Sequence, residues 1–100
     1  MYFVYVVANR SKNLYIGVTN SLIRRIQEHK DKKYDGYTAR YKIDRLVYFE
    51  QFAYIDNAIA REKQLKTWLR YRKIELIQSS NPTWEDLFLQ FNQPIPPPID

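Results

Sequence analysis

Residues 2–18 decide the predicted fold, and they read YFVYVVANRSKNLYIGV. Two short runs within them, Tyr2–Ala8 and 14–18, are rich in β-branched and aromatic residues, which is typical of β-strands. The polar residues 9–13 between the two runs have the composition of a turn. The stretch therefore predicts an antiparallel hairpin at the start of the chain.

Each of the two predicted strands carries a tyrosine, Tyr5 and Tyr15. Because side chains alternate between the faces of a strand, Tyr5 shares a face with Phe3 and Val7, and Tyr15 shares one with Gly17. Whether the two tyrosines lie on the same face depends on the turn register, which the sequence leaves open. Taken singly, each tyrosine is typical of an aromatic residue packed in a core.

The segment after the hairpin predicts a helix with Thr19 or Asn20 as its capping residue and an end near Lys30. Arg25 lies at the border of its apolar stripe and four residues before His29, so the two are neighbours on the helix surface. The stripe consists of Leu22, Ile26 and His29. A histidine in such a stripe is more often packed in a core than catalytic.

The remaining residues predict one more strand and further helices. Residues 31–44 are polar, basic and rich in tyrosine, and we predict a loop there, followed by a strand over Arg45–Phe52. Asp56 is expected to cap a second helix. A third helix is predicted over residues 70–79, and a short amphipathic helix over residues 84–91.

This order of elements predicts an α+β fold, in which a small three-stranded antiparallel sheet is flanked by helices. Residues 1–91 form the predicted domain. Residues 92–100 contain four of the five prolines and predict an extended tail.

Glu62 is predicted to lie within the apolar stripe of the second helix. That stripe consists of Ala58, Glu62, Leu65 and Leu69. A carboxylate in such a place has to be ion-paired, hydrogen-bonded, protonated or bound to a metal ion, because unpaired burial of a charge is costly. The residues alone leave open both a structural ion pair, with Arg25 or a lysine, and a metal site.

The charge of the chain is distributed unevenly. Residues 1–73 hold all sixteen Lys and Arg residues with seven acids, whereas residues 74–100 hold four acids and no base. The basic part should attract polyanions, of which nucleic acid is the obvious one. The absence of cysteine excludes disulfides and cysteine zinc sites, and the single histidine excludes a multi-histidine metal site. The apolar runs are too short for a membrane span and no signal peptide is visible, so a cytoplasmic location is expected.

Four separated blocks of the sequence resemble the GIY-YIG nuclease superfamily, and in particular its small stand-alone bacterial members. The blocks are Phe3-Val4-Tyr5, Tyr15-Ile16-Gly17, Arg25 with His29, and the helical stretch 61–68 around Glu62. Asn81-Pro82, Trp84 and Asp86-Leu87 also resemble the C-terminal end of the stand-alone members. The resemblance spans roughly residues 1–87.

This resemblance implies a metal-dependent endonuclease that hydrolyses phosphodiester bonds in DNA, including branched or single-stranded DNA, in DNA repair or processing. Tyr5 would be the general base or would position the attacking water, and Tyr15 would hydrogen-bond the water or the phosphate. Arg25 would clamp phosphate oxygens, and His29 would assist proton transfer or bind phosphate. Glu62 would hold one divalent metal ion, Mg²⁺ or Mn²⁺. Because a tyrosine of ordinary pKa, near 10, is a poor base at neutral pH, Tyr5 would need nearby cations.

The chain departs from the family pattern at three places. Phe3 stands where the first tripeptide has glycine, and Val18 stands where some members carry a lysine. Residues 74–77 lack the asparagine that several members carry beyond the metal glutamate. These departures bear on turnover more than on fold. No second DNA-binding domain is expected within the chain, so target choice would come from its own surface or from a partner protein.

Basic residues interleaved with Tyr34, Tyr37 and Tyr41 predict a nucleic-acid-binding surface in the central loop, because lysine and arginine neutralise phosphates and tyrosine stacks on unpaired bases. A second basic stretch follows Glu62. The predicted nucleic-acid-binding residues are Lys30, Lys32, Lys33, Arg40, Lys42, Lys63, Lys66 and Arg70. A solvated basic loop without a ligand is the alternative interpretation.

Two other functions are compatible with the same residues. One is a nucleic-acid-binding module that keeps the fold without catalysis. The other is a protein-interaction domain that docks a partner through Trp84, Phe88, Phe91 and the proline tail.

Overall fold

The computed structural model describes residues 1–32, 36–91 and 97–99. Its elements, in chain order, are β1 (Tyr2–Ala8), β2 (Leu14–Thr19), α1 (Leu22–Lys30), α2 (Tyr37–Arg40), β3 (Arg45–Phe52), α3 (Ile55–Thr67), α4 (Arg70–Ser80) and a 3₁₀ helix, Leu87–Gln90. Within these ranges, no helix has the length and apolar character that crossing a membrane requires.

The three strands form one antiparallel sheet in the order β2-β1-β3, so that β1 lies in the centre. The pairing of β1 with β3 shifts between Val6 and Val7, which indicates a β-bulge there. The predicted α+β fold, a small three-stranded antiparallel sheet flanked by helices, is confirmed.

β1 is buried on both faces and therefore joins two cores. Its even-numbered side chains pack with α3 and α4, in a cluster that includes Ala58, Leu65 and Ile77. Its odd-numbered side chains pack with α1, in a cluster that includes Leu22 and Ile26. Full burial of one large apolar side chain contributes on the order of 1.5–3 kcal/mol before the loss of chain entropy is counted. The same strand thus holds both helical layers in place.

Glu50 on β3 is a buried carboxylate that α3 neutralises. Arg61 donates from Nε to Oε1 at 2.9 Å and from Nη2 to Oε2 at 3.0 Å, and the Tyr48 hydroxyl donates to the same carboxylate. The Glu50 side chain is 5% exposed, so this paired geometry offsets the cost of its desolvation. Burial and the Glu50 carboxylate hold the pKa of Tyr48 well above its usual value. The ion pair fixes α3 on the sheet one residue before Glu62.

The helices begin at residues other than the predicted caps. The N-cap of α1 is Ser21 rather than Thr19 or Asn20, and that of α3 is Tyr54 rather than Asp56, which lies in the first turn. Neither N-cap makes a side-chain capping bond. Packing against the sheet, rather than local capping, therefore sets where these helices start.

Residues 31–44 are not a loop throughout, since α2 lies among them. The Thr38 carbonyl accepts from the Ile43 N–H at 2.9 Å, and this turn brings Ile43 into the core under α1. Three lysines at turns have positive φ angles: Lys12 at 63°, Lys32 at 56° and Lys42 at 56°. This left-handed region favours glycine, so each lysine there carries a backbone cost.

The segment after α4 folds back onto the sheet through Asn81 and Asp86. Asn81 donates from Nδ2 to the Val47 carbonyl at 3.1 Å and to the Glu85 carbonyl at 2.9 Å, and its Oδ1 accepts from the Glu85 N–H at 2.9 Å. Asp86 accepts from the β3 backbone and pairs with Lys30. These polar contacts hold the segment after α4 against β3 and α1.

The three aromatic residues proposed to dock a partner are engaged within the chain. Trp84 is buried in the core under α3 and α4. Phe88 and Phe91 pack against the core under α1, with their ring centroids 5.6 Å apart. Of the predicted tail, residues 92–96 and 100 lie outside the described residues. The Ile99 N–H donates to the Gln51 carbonyl of β3 at 2.7 Å.

Replacing Asn81 with alanine should lower the free energy of unfolding by about 1–3 kcal/mol, because buried carbonyl and N–H groups lose their partner. Urea unfolding of the variant measures this loss. The exposed neighbour Ser80 provides the control, and Ser80→Ala should change stability little. Equal midpoints for Asn81→Ala and the wild type would contradict the assigned role.

Candidate active site

The register of the hairpin places Tyr5 and Tyr15 on the same face of the sheet. Tyr5 pairs with Gly17, and Val7 pairs with Tyr15, so these four residues project to one side. The centroids of the two tyrosine rings are 6.3 Å apart. The hairpin register, which the sequence leaves open, therefore places both tyrosines on one face of the sheet.

The Tyr5 ring packs directly against Gly17. A Cβ atom at position 17 would be 2.5 Å from Tyr5 Oη and 2.6 Å from its Cζ. Contacts this short are not tolerated, so any side chain at position 17 would displace the ring. The position of the Tyr5 ring therefore requires glycine at position 17.

His29 on α1 completes an aromatic cluster with the two tyrosines. Its Nε2 is 3.0 Å from Tyr5 Oη, and its ring centroid is 5.7 Å from that of Tyr5 and 5.6 Å from that of Tyr15. Burial and, next, the Arg25 guanidinium lower the pKa of His29 below its ordinary value of 6.5. The imidazole is therefore neutral at pH 7, and Nε2 can accept the Tyr5 hydroxyl proton in the tautomer that carries its hydrogen on Nδ1.

The two tyrosines differ in their exposure. Tyr5 is 1% exposed, whereas Tyr15 is 37% exposed. A molecule that approaches this face therefore meets Tyr15 first, and Tyr5 lies behind it against His29.

Arg25 lies one turn before His29 and turns toward α3. Its Nε is 3.4 Å from Glu28 Oε1, and its side chain is 31% exposed. With Ile59 of α3, Arg25 lines a cavity of about 250 Å³. Ile59 is three residues before Glu62, so the two are neighbours on the helix surface. The cavity thus lies between Arg25, the candidate phosphate ligand on α1, and α3, the helix that carries the candidate metal ligand Glu62.

Glu62 is half-buried rather than enclosed. Its neighbours Ala58 and Leu65 are in the core, but α3 ends at Thr67, so Leu69 is 65% exposed and is not part of the predicted stripe. Lys66, one turn later, forms an ion pair with Glu62 at 3.2 Å. Among the described residues, no hydrogen bond or ion pair joins Glu62 to the tyrosine–histidine cluster.

Glu62 offers a single carboxylate to a metal ion, and the Lys66 ammonium is paired with it in this structure. Within residues 1–32, 36–91 and 97–99, no three acidic or histidine side chains come together as a metal-binding group. Mg²⁺ does not need such a cage, because it usually keeps several waters and binds one or two carboxylates. The Glu62 side chain, 16% exposed, offers hard oxygen ligands at an accessible edge.

The predicted nucleic-acid-binding residues differ in their partners and in their exposure. Lys30 is engaged internally, with Asp86 and the Asp44 carbonyl as partners. Lys66 pairs with Glu62, and Arg70 donates to the Lys12 carbonyl at 2.6 Å. Lys33 lies outside the described residues, as does Tyr34. The side chains exposed at the surface are those of Lys32, Arg40, Lys42, Lys63, Lys66 and Arg70.

Comparison with known proteins agrees with this geometry. The family model of the GIY-YIG catalytic domain matches residues 1–75. The chain belongs to the GIY-YIG family.

Proteins similar to this chain have comparable lengths, since the matches cover most of both chains. A UPF0213 protein of Clostridium perfringens is 36% identical over 81 residues, which cover 81% of this chain and 87% of that protein. A UPF0213 protein of Syntrophus aciditrophicus is 33% identical over 79 residues, covering 78% and 91%. The solution structure of a UPF0213 protein from Bacillus halodurans superimposes with a TM-score of 0.56 at 28% identity, over 86% of this chain and 93% of that one.

The Glu50–Arg61 pair is the feature of this GIY-YIG domain that the sequence analysis did not find. Arg61 belongs to the helical block around Glu62, but its partner lies eleven residues earlier, on β3. Tyr48 and Glu50 are two residues apart on a strand and share a face, which is the signal that could have suggested a common partner. The spacing could not have identified that partner as Arg61.

Replacing Gly17 with alanine should destabilise the domain by about 1–3 kcal/mol, because the Tyr5 ring has to leave its position. Chemical unfolding of Gly17→Ala, Tyr5→Leu and the double variant measures the coupling between the two sites. The cost of Gly17→Ala should be smaller in the Tyr5→Leu background. Gly36→Ala is the control, since a Cβ there meets nothing within 4 Å; its φ angle of 94° makes alanine costly, but that cost should be the same in the Tyr5→Leu background. Additive costs at positions 17 and 5 would contradict the assigned contact.

Lowering the pH from 7 to 5 should destabilise the wild type more than His29→Gln. Because the pKa of His29 is lowered in the folded protein, the unfolded chain binds the proton first as the pH falls through 6.5, and stability is lost below that pH. His29 is the single histidine of the chain, so thermal unfolding of the two proteins isolates its contribution. Parallel pH profiles would show that His29 is not held neutral.

Proposed function

We propose that the protein is a metal-dependent endonuclease that hydrolyses DNA phosphodiester bonds, including those of branched or single-stranded DNA, in DNA repair or processing. The observation that carries the proposal is the cluster of Tyr5, Tyr15 and His29, with His29 Nε2 3.0 Å from the Tyr5 hydroxyl oxygen. Family membership supports a nuclease, and the cluster supports the acid–base chemistry that hydrolysis needs.

The cluster supports a route for the proton of the attacking water. Tyr5 takes that proton as its own hydroxyl proton passes to His29 Nε2, so that no free phenolate has to form at neutral pH. The lowered pKa of His29 keeps its nitrogen available for this step. The exposed Tyr15, whose ring centroid is 6.3 Å from that of Tyr5, would orient the water or the phosphate through its hydroxyl.

Arg25 and Glu62 would act on the phosphate from α1 and α3. The planar guanidinium of Arg25 is suited to two phosphate oxygens and would neutralise charge that develops on them. Glu62 would hold one Mg²⁺ or Mn²⁺ ion once the Lys66 ammonium moves away from its carboxylate. Such an ion neutralises phosphate charge and stabilises a leaving oxygen.

A second candidate function is nucleic-acid binding without cleavage. The ion pair of Glu62 with Lys66 and the burial of Tyr5 favour it, because both have to change before the nuclease can act. This alternative predicts salt-sensitive binding of DNA that does not respond to Mg²⁺.

Incubating the protein with branched, single-stranded and duplex DNA in Mg²⁺ or Mn²⁺ tests the nuclease. We expect cleavage by the wild type, a loss of about 10²–10³-fold in rate for Arg25→Ala because one phosphate-stabilising group is removed, and a higher metal requirement for Glu62→Gln. Tyr5→Phe should also be slowed. Gel analysis of the products measures each rate.

Glu75→Gln is the matched control for Glu62→Gln, since Glu75 is exposed on α4 and its replacement removes the same charge. It should cleave as the wild type does. The nuclease proposal fails if the wild type cleaves none of these substrates, or if Glu62→Gln and Glu75→Gln show the same metal dependence.

A further inference from the structure

A cleft of about 480 Å³ lies at the opposite end of β1 from the Arg25 cavity. One wall is the hairpin turn, including Arg10 and Ser11, and the other is the segment from Tyr41 to Arg45. The Arg25 cavity is lined by Tyr2 at the start of β1, whereas this cleft is lined by Ala8 at its end. The cleft and the Arg25 cavity are therefore distinct.

Asn9 holds the two walls of the cleft together. Its Nδ2 donates to the Tyr41 carbonyl at 2.8 Å, and its Oδ1 accepts from the Asn13 N–H at 3.0 Å. Beyond Tyr41, Ile43 is buried in the core under α1. Both walls are thus anchored, and the cleft is a formed part of the fold.

The lining of the cleft combines positive charge with an exposed aromatic ring. Arg10, Lys42 and Arg45 contribute three cations against one acid, Asp44. Arg10 and Lys42 are exposed, and neither pairs with a carboxylate in the part of the chain that the structure describes. The Tyr41 side chain is 46% exposed, and the parts of its ring that are not covered by the Tyr37 ring, with centroids 5.3 Å apart, and by Arg40 at 5.6 Å face solvent. Cations that track phosphates beside a ring that can stack are the two elements of a single-strand binding site.

Lys42 occupies a backbone position where glycine would be less strained. Its φ angle is 56°, in the left-handed region. Replacing Lys42 with glycine should therefore remove its charge without destabilising the turn.

The cleft begins three residues along β1 from Tyr5, at the strand end away from the Arg25 cavity. Ala8 follows Val7, whose partner across the hairpin is Tyr15. Tyr5 and Ala8 are three residues apart on β1, which corresponds to about 10 Å at the rise of an extended strand. A strand whose phosphate sits at the tyrosine cluster can therefore reach the cleft within a few nucleotides, at about 3.4 Å per nucleotide in a stacked strand.

We propose that this cleft binds an unpaired stretch of nucleic-acid strand flanking the scissile phosphate. Arg10 and Lys42 contact its phosphates, and the Tyr41 ring stacks on one of its bases. The inference rests on the proposed function and extends it, because it requires a substrate with a single-stranded segment next to the cleavage position.

Fluorescence anisotropy with a short labelled single-stranded DNA, and with the duplex of the same sequence, tests the cleft in EDTA, where cleavage cannot occur. Tyr41→Ala should weaken single-strand binding about tenfold, since one base loses its stacking partner, and should leave duplex binding unchanged. Tyr41→Phe keeps the ring and should bind as the wild type does. Arg10→Ala and Lys42→Gly should each reduce the slope of log K against log salt by about 0.7.

Two controls separate this site from general charge and from folding. Arg24→Ala removes one exposed cation on α1 and should leave the salt slope unchanged. Lys42→Gly should melt at the same temperature as the wild type or higher, so that weaker binding cannot be attributed to unfolding. The proposal is overturned if Tyr41→Ala binds the single strand as well as the wild type, or if Arg24→Ala and Lys42→Gly lower the slope equally. Single-strand binding through the cleft without any cleavage in Mg²⁺ would support this site while refuting the nuclease.

Discussion

The packing of the Tyr5 ring on Gly17 is the contact on which the candidate site depends. It sets the position of the Tyr5 hydroxyl, and through that hydroxyl it sets the hydrogen bond to His29. Because Tyr5 is also in the core under α1, the side chain proposed to act in catalysis also contributes packing energy. The functional cluster is therefore built from the interior of the protein and cannot be varied without cost to the fold.

Different helices cover the two faces of the sheet and carry different candidate residues. α1 supplies Arg25 and His29 over the tyrosine face, while α3 covers the other face and brings Glu62 to its border. The pairing of Glu50 with Arg61 stiffens the attachment of α3 one residue before Glu62. The sheet thereby connects the tyrosine–histidine cluster under α1 to the Glu62 carboxylate on α3.

Much of this arrangement could be predicted because it follows from local pattern. The strands, the sheet type and the neighbourhood of Arg25 and His29 on one helix come from periodicities of two and 3.6 residues. The hairpin register could not be predicted, since it depends on how the Tyr5 ring fits against a residue without a side chain. The exposure of Leu69 could not be predicted because α3 ends at Thr67 without a glycine or proline, the residues that usually mark a helix end in a sequence. The capping residues were missed for a related reason: long-range packing outweighed the local preference for Asp or Thr.

The hydrogen bond from Ile99 to Gln51 has a consequence for how molecules of this protein behave toward one another. β3 is an edge strand, and an uncovered edge presents backbone groups that can pair with a strand from another molecule and begin aggregation. By occupying one of those groups with its own backbone, the end of the chain shields the edge at Gln51. The Ile99 backbone thus leaves one pairing group fewer on this edge for a strand of another molecule.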